Sequence, residues 1–217
     1  MGLIRPRKRR GKMPRLFHTK NFSVTEALYR VKGIRRKYEI ITKSDTVLII
    51  PILSDGRILM EKQWRYPVDK YIYELPAGTV DKGEPPKKTA IRELKEETGY
   101  TAKSIKFLFK GYPAPGLMDE MMYFYLATGL KRGRTELDKD EVISLHPIKI
   151  KKAISMVKEG KIVDTKTIAA LLYYSSFLNH SRAFWEEVRR ICPDYRALRK
   201  ELRNYDSYRR EVFRKLE

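Results

Sequence analysis

The sequence predicts an α/β fold in which a mixed sheet is covered by helices on both sides. Three observations carry this expectation. Short runs of β-branched and aromatic residues bounded by turn residues recur along the chain, residues 47–53 being the most apolar. Helical patterns are interleaved with those runs rather than gathered at one end. Residues 78–100 read as loop, helix, loop, with carboxylates grouped on one side of the helix.

Taken in order, residues 1–33 form a basic N-terminal arm. Arg5, Arg7, Lys8, Arg9, Arg10, Lys12, Arg15 and Lys20 precede the first acid, Glu26. Pro6, Gly11 and Pro14 interrupt the arm, and it lacks the apolar stretch of a secretory signal. Such a segment is expected to have no fixed structure in isolation. Residues 23–31 suggest a short helix or an irregular segment. Residues 35–42 read as a strand, Ser44-Asp45 as a turn, and 47–53 as a buried strand. Ser54-Asp55-Gly56 is a strong turn signal, expected to fold a strand at 57–64 back on its predecessor as a hairpin. A short strand at 71–75 leads into the stretch 78–100. There Pro85 marks a helix start, Ala90, Ile91 and Leu94 supply a buried face, and Gly99 a stop. Strands are expected at 104–111, 121–128 and 142–146, a charged loop at 131–140, and helices at 150–158 and 165–178. Residues 181–217 look helical, with eleven Lys or Arg against seven acids. The expected organisation is an arm (1–33), a catalytic domain (34–180) and a basic helical C-terminal extension (181–217).

The chain has 217 residues, 42% of them hydrophobic, enough for a sizeable core. It contains no apolar run of the roughly 18 residues that would suggest a transmembrane helix. Its single cysteine, Cys192, excludes a disulfide framework within the chain and points to a reducing, cytoplasmic compartment. Gln63 is the only glutamine and Asn21, Asn179 and Asn204 the only asparagines, while Lys, Arg and Glu abound. That composition is expected of a thermophile protein. The net charge of +20 exceeds what ion pairing explains and suggests anionic partners.

Glu93, Glu96 and Glu97 stand at i, i+3 and i+4, so a helix places them together. Like charges at that spacing repel, and a positive group is needed to hold them. Three converging carboxylates are hard oxygen ligands suited to Mg²⁺ or Mn²⁺. A solvated Glu- and Lys-rich face is the plain alternative for these residues taken alone.

Gly78, Glu84, Arg92, Glu93, Leu94, Glu96, Glu97, Gly99 and Tyr100 fill the Nudix signature, G-x5-E-x7-R-E-U-x-E-E-x-G-U, where U is bulky and apolar. The chain therefore resembles the Nudix hydrolases. The resemblance implies an α/β/α sandwich and hydrolysis of a nucleoside diphosphate linked to another group. The flanks sharpen it. Glu61-Lys62-Gln63-Trp64-Arg65-Tyr66-Pro67, Tyr73-Glu74-Leu75-Pro76-Ala77-Gly78, the loop from Gly111 to Glu120 and the segment from Glu159 to Thr167 resemble matching segments of ADP-ribose pyrophosphatases. The likeness spans about residues 35–180. Ala114 departs from it, standing where that family often has Ser.

The resemblance implies Glu93 and Glu97 as the main metal ligands, Glu96 assisting, and the Ala77 carbonyl as a further ligand. Glu84 is expected to pair with Arg92, which orients the glutamates, while Gly78 and Gly99 shape the motif. Arg65 is the candidate grip on the diphosphate. Trp64 or Tyr66 would stack on adenine, Pro115 and Gly116 would border the substrate, and Glu120 would contact the ribose or the metal's surroundings. The general base is expected in the loop carrying Glu136, Asp138, Asp140 and Glu141, with Glu141 favoured. His18, His146 and His180 show no ligand spacing. The implied reaction takes ADP-ribose and water to AMP and ribose 5-phosphate with Mg²⁺ or Mn²⁺. The implied assembly is a homodimer in which residues 35–53 help complete the partner's adenine site. The competing reading is an RNA-directed Nudix protein, an RNA 5′-end pyrophosphohydrolase or a ribosome-associated factor, held to RNA by its basic tails.

Overall fold

The computed structural model describes residues 7–8, 14–134 and 142–179. By its contacts the chain divides into Met1–Leu171 and Leu172–Glu217. The expected C-terminal extension and the acidic loop that holds Glu136, Asp138, Asp140 and Glu141 lie outside the described residues.

The first unit opens with an antiparallel sheet of β1 (Arg7–Lys8), β2 (Arg15–His18), β3 (Phe22–Val31) and β4 (Ile34–Lys43). Residues 23–31, expected as a helix or an irregular segment, are thus a strand. β3 pairs with β4 from Phe22↔Lys43 to Val31↔Ile34, which satisfies its backbone. Lys32 and Gly33 join the two strands with φ of 49° and 82°. Positive φ at both central residues is the type I′ geometry that matches strand twist. β2 pairs with β3 too, so order begins within the arm.

The central sheet is mixed, in the order β8-β5-β10-β9, comprising β5 (Thr46–Pro51), β8 (Ala77–Thr79), β9 (Tyr100–Gly111) and β10 (Met122–Arg132). β10 runs parallel to β5, and the other pairs are antiparallel. Every residue of β5 is buried, as a continuous apolar run requires. Helix α1 (Pro86–Thr98) lays Ala90 and Leu94 against Val47, Ile49, Ile105, Tyr125 and Ala127. A second, antiparallel sheet has the order β11-β6-β7, formed by β6 (Ile58–Arg65), β7 (Lys70–Glu74) and β11 (Ile143–Ile148).

The turn at Ser54-Asp55-Gly56 is present, with Gly56 at φ 80°, but β5 and β6 do not form the expected hairpin. Just beyond β5 the chain meets β6 at the isolated bridge Ile52↔Ile58, beside the Leu53 amide that donates to the Arg57 carbonyl at 2.9 Å. Both edges of β5 are already taken, by β8 and β10. β6 therefore leaves for the other sheet. Helices α2 (Ile150–Lys158) and α3 (Thr165–Asn179) follow. The first turn of α3 is tied to the end of β7, where the Leu75 amide donates to Thr167 Oγ1 at 3.0 Å. Among the described residues no helix is long and apolar enough to cross a membrane.

Candidate active site

α1 starts at Pro86 without a side-chain cap and ends at Gly99, which adopts φ 70° and returns its amide to the Lys95 carbonyl. Packing sets its rotation. With Ala90 and Leu94 in the core, Glu93 and Glu97 border the end of β8, and Glu96 lies one step outward. Glu97 is 4% exposed, and its Oε2 accepts the Ala77 amide at 2.9 Å.

The positive group that three clustered glutamates require is partly internal. Arg92 Nη1 stands 2.8 Å from Glu93 Oε1 and 2.8 Å from Glu96 Oε2. Its Nη2 donates to the Thr79 carbonyl at 3.2 Å and to Glu84 Oε2 at 3.3 Å. Burial works against the guanidinium charge, but Glu93, Glu84 and Glu96 outweigh it and hold its pKa above the ordinary arginine value. Glu84 also accepts the Thr89 hydroxyl at 2.8 Å, and that bond, then Arg92, keeps its carboxyl below the usual range. One arginine thus links the loop before α1 to two carboxylates on it.

Gly78 is required by close approach. A Cβ there would overlap the carboxyl group of Glu93. The loop–helix motif therefore presses a bare backbone against a carboxylate.

Glu93, Glu96 and Glu97 line one cavity of about 680 Å³, together with Ala77, Gly78, Arg92 and Arg65. That volume falls in the range of small-molecule sites. Lys20, Asn21, Lys43 and Ser44 from the N-terminal sheet and Lys82 from the loop before α1 complete its wall. Sequence reasoning missed these five; the folding of the β3–β4 hairpin toward the motif brings the first four near, while Lys82 belongs to the motif's own loop. Among the described residues no three His, Cys, Asp or Glu side chains are gathered closely enough to hold a metal ion by themselves. An open set of carboxylates fits Mg²⁺, which keeps several waters and takes one or two carboxylates plus substrate phosphates.

Arg65 reaches the cavity from β6. Its Nε and Nη2 donate to Glu74 Oε1 and Oε2, both at 2.7 Å. Glu74 is 1% exposed and also meets Lys166 Nζ at 2.6 Å, and Lys166 meets Asp164 at 2.8 Å. Burial alone would raise the Glu74 pKa, but the Arg65 hydrogen bond and Lys166 bring it below the ordinary value. The Glu74 hydrogen bond, against burial, holds Arg65 above its own.

Other expected site residues stand elsewhere. Trp64 and Tyr66 flank Arg65 along the chain, and alternation sends Trp64 to the opposite face of the strand. Trp64 packs edge-on against Tyr71 with ring centroids 5.0 Å apart, and Tyr66 is 70% exposed in a short 3₁₀ turn. Neither lines the cavity. Pro115 and Gly116 belong to a loop stitched to β4 through Leu117 and Asp119, outside the cavity wall. Glu120 is buried instead of facing the cavity; it accepts the Thr46 hydroxyl at 2.8 Å and meets Lys43 Nζ at 3.3 Å. It bears on the cavity only through Lys43.

Comparison with known proteins identifies the family of the fold. A NUDIX domain model matches residues 42–171. The chain is 38% identical over 143 residues to the ADP-ribose pyrophosphatase of Bacillus subtilis, covering 65% of this chain and 77% of that protein. It is 39% identical to the methanol dehydrogenase activator of Bacillus methanolicus, with the same coverage. It is 34% identical over 152 residues to the GDP-mannose pyrophosphatase of Yersinia enterocolitica, covering 66% of this chain and 78% of that one. The crystal structure of an ADP compounds hydrolase superposes with a TM-score of 0.74 at 24% identity, covering 82% of this chain and 97% of that one, and so shares the fold. With the signature on α1 and its preceding loop, and a family match over most of the described core, the chain belongs to the Nudix hydrolase family and is similar to its ADP-ribose pyrophosphatases.

Proposed function

We propose that this Nudix hydrolase cleaves the diphosphate of a nucleotide sugar, with ADP-ribose the preferred substrate and AMP and ribose 5-phosphate the products. The observation that carries the reading is the joint lining of one cavity by Glu93, Glu96, Glu97 and Arg65. Glu93 and Glu97, assisted by Glu96 and the Ala77 carbonyl, would hold Mg²⁺ or Mn²⁺. When bound, the metal neutralises the diphosphate and lowers the pKa of a water. Arg92 keeps Glu93 and Glu96 from spreading apart. Lys20, Lys43 and Lys82 border the mouth and favour a polyanion. Glu141 is the proposed general base.

The relatives named for ADP-ribose and for GDP-mannose define the test. Turnover of ADP-ribose, GDP-mannose, NADH, dinucleoside polyphosphates and triphosphorylated RNA is compared under one set of conditions. ADP-ribose is expected to show the highest kcat/KM. A higher value for GDP-mannose transfers the assignment to that sugar nucleotide, and a higher value for RNA restores the RNA-directed reading.

We also propose a homodimer formed through the N-terminal sheet. Ile34 and Tyr38, four residues apart and so on one face of β4, are exposed there, and exposed apolar side chains of this kind can form an interface. Sedimentation equilibrium tests this: a monomer at micromolar concentration refutes it.

A further inference from the structure

The segment Asp164-Thr165-Lys166-Thr167 lies far along the chain from the signature, yet it meets the site through a single buried carboxylate. Glu74 receives Arg65 on both oxygens, and Lys166 stands 2.6 Å from its Oε2. Asp164 braces Lys166 at 2.8 Å and accepts the Thr167 amide at 3.0 Å, while the Thr167 hydroxyl accepts the Leu75 amide at 3.0 Å. β7 and the start of α3 are therefore locked together around Glu74.

This geometry limits what Arg65 can offer. A guanidinium has five N–H donors. Nε and one N–H of Nη2 are spent on Glu74, which uses the side of the fork. The two N–H groups of Nη1 and the second of Nη2 remain, and one from each nitrogen forms the end of the fork. Arg65 can therefore meet an oxyanion end-on, in one orientation, because a bidentate carboxylate fixes the guanidinium plane. Glu74 in turn keeps its charge in a buried place because Lys166 supplies a second cation.

We propose that Glu74 and Lys166 are positioning residues that pre-orient Arg65 as an end-on clamp for the substrate diphosphate. The inference rests on the proposed diphosphatase reading for its substrate. It gives the segment 164–167 a role in substrate binding rather than in packing alone. Pre-orientation matters because misplacing a binding group by about 1 Å costs up to about a hundredfold in rate.

The experiment is a double-mutant cycle on the full chain between Glu74→Gln and Arg65→Lys, with Lys166→Met and Lys166→Arg as further variants. KM and kcat for ADP-ribose are measured for each, with Tm as the check on folding. Glu74→Gln, Arg65→Lys and Lys166→Met are each expected to raise KM about tenfold or more, with a smaller change in kcat. The double variant should be no worse than Arg65→Lys alone, and Lys166→Arg should recover most of the loss seen with Lys166→Met. Three results overturn the proposal: an unchanged KM in folded Glu74→Gln, multiplying effects in the double variant, or a loss confined to Tm. Wild-type turnover separately tests the diphosphatase reading. If ADP-ribose is not turned over, that reading fails, and the same cycle run on the Kd for ADP by titration calorimetry still decides whether Glu74 acts through Arg65.

Discussion

Replacing Gly78 with alanine would separate the chemistry of the site from the stability of the fold. The added methyl overlaps the carboxyl carbon and both oxygens of Glu93. Reaching an ordinary contact near 3.5 Å requires that carboxylate to retreat by about 1.5 Å. The atoms in the way are the far end of a flexible side chain, so the backbone need not move. The retreat weakens the Arg92–Glu93 pair, which at this partial exposure is worth no more than about 1 kcal/mol. The lost freedom of the unfolded chain offsets about 0.4–1 kcal/mol of that. Tm should therefore change little. A displacement of this size in a catalytic carboxylate costs on the order of a hundredfold in kcat, or about 2.7 kcal/mol of activation free energy. The assay is kcat for ADP-ribose with Mg²⁺ alongside a thermal melt. Unchanged kcat would refute the placement of Glu93 in the catalytic set. A lost kcat accompanied by a collapsed Tm would show that the overlap is relieved through the backbone instead.

Other substitutions and conditions probe the same framework. Glu97→Gln keeps an acceptor for the Ala77 amide, so it should fold normally and lose kcat by at least about a hundredfold; unchanged turnover would remove Glu97 from the site. Chelation by EDTA should abolish turnover and added Mg²⁺ should restore it, whereas full activity in chelator would exclude metal dependence. Arg92→Met leaves Glu93 and Glu96 facing each other without their shared cation, and a loss of about 1–2 kcal/mol in urea melts is expected, along with reduced kcat. Acid stability should depend on Glu74. Its folded pKa lies below the ordinary 4.5, so its stabilisation is present above pH 4.5 and fades as pH falls through the lower folded value. Glu74→Gln should flatten the stability profile below pH 4.5, and an unchanged slope there would count against the buried pairing.

The local half of the site was legible in the sequence. The spacing of Glu93, Glu96 and Glu97, the apolar Ala90 and Leu94 on the neighbouring face, and the Gly99 stop all lie within a few helical turns. Their geometry follows from helical periodicity. The buried strand at β5 was legible for a similar reason, since its apolar run demands cover on both faces. The expected hairpin between β5 and β6 was not, because a turn signal states that the chain reverses and not which edge is vacant. The strand character of residues 22–31 was hidden by an atypical turn. Lys32-Gly33 takes the place of the Asn-Gly or Asp-Gly pair that usually announces a type I′ hairpin.

By itself, then, the sequence determined the family, the helix that carries the glutamates and the need for a counter-charge among them. Arg92, one residue before Glu93, was expected from the signature to orient them, and it bridges two of the carboxylates. Only the tertiary structure decided the remaining charges. The orientation of Arg65 depends on Glu74, nine residues away, and on Lys166, which is 92 residues beyond Glu74. Lys20 and Lys43 reach the cavity wall from a separate sheet. Helical spacing is local and can be counted along a chain. The pairing of buried charges is not, because it depends on which strand edges are free and which side chains meet in a place that water cannot reach.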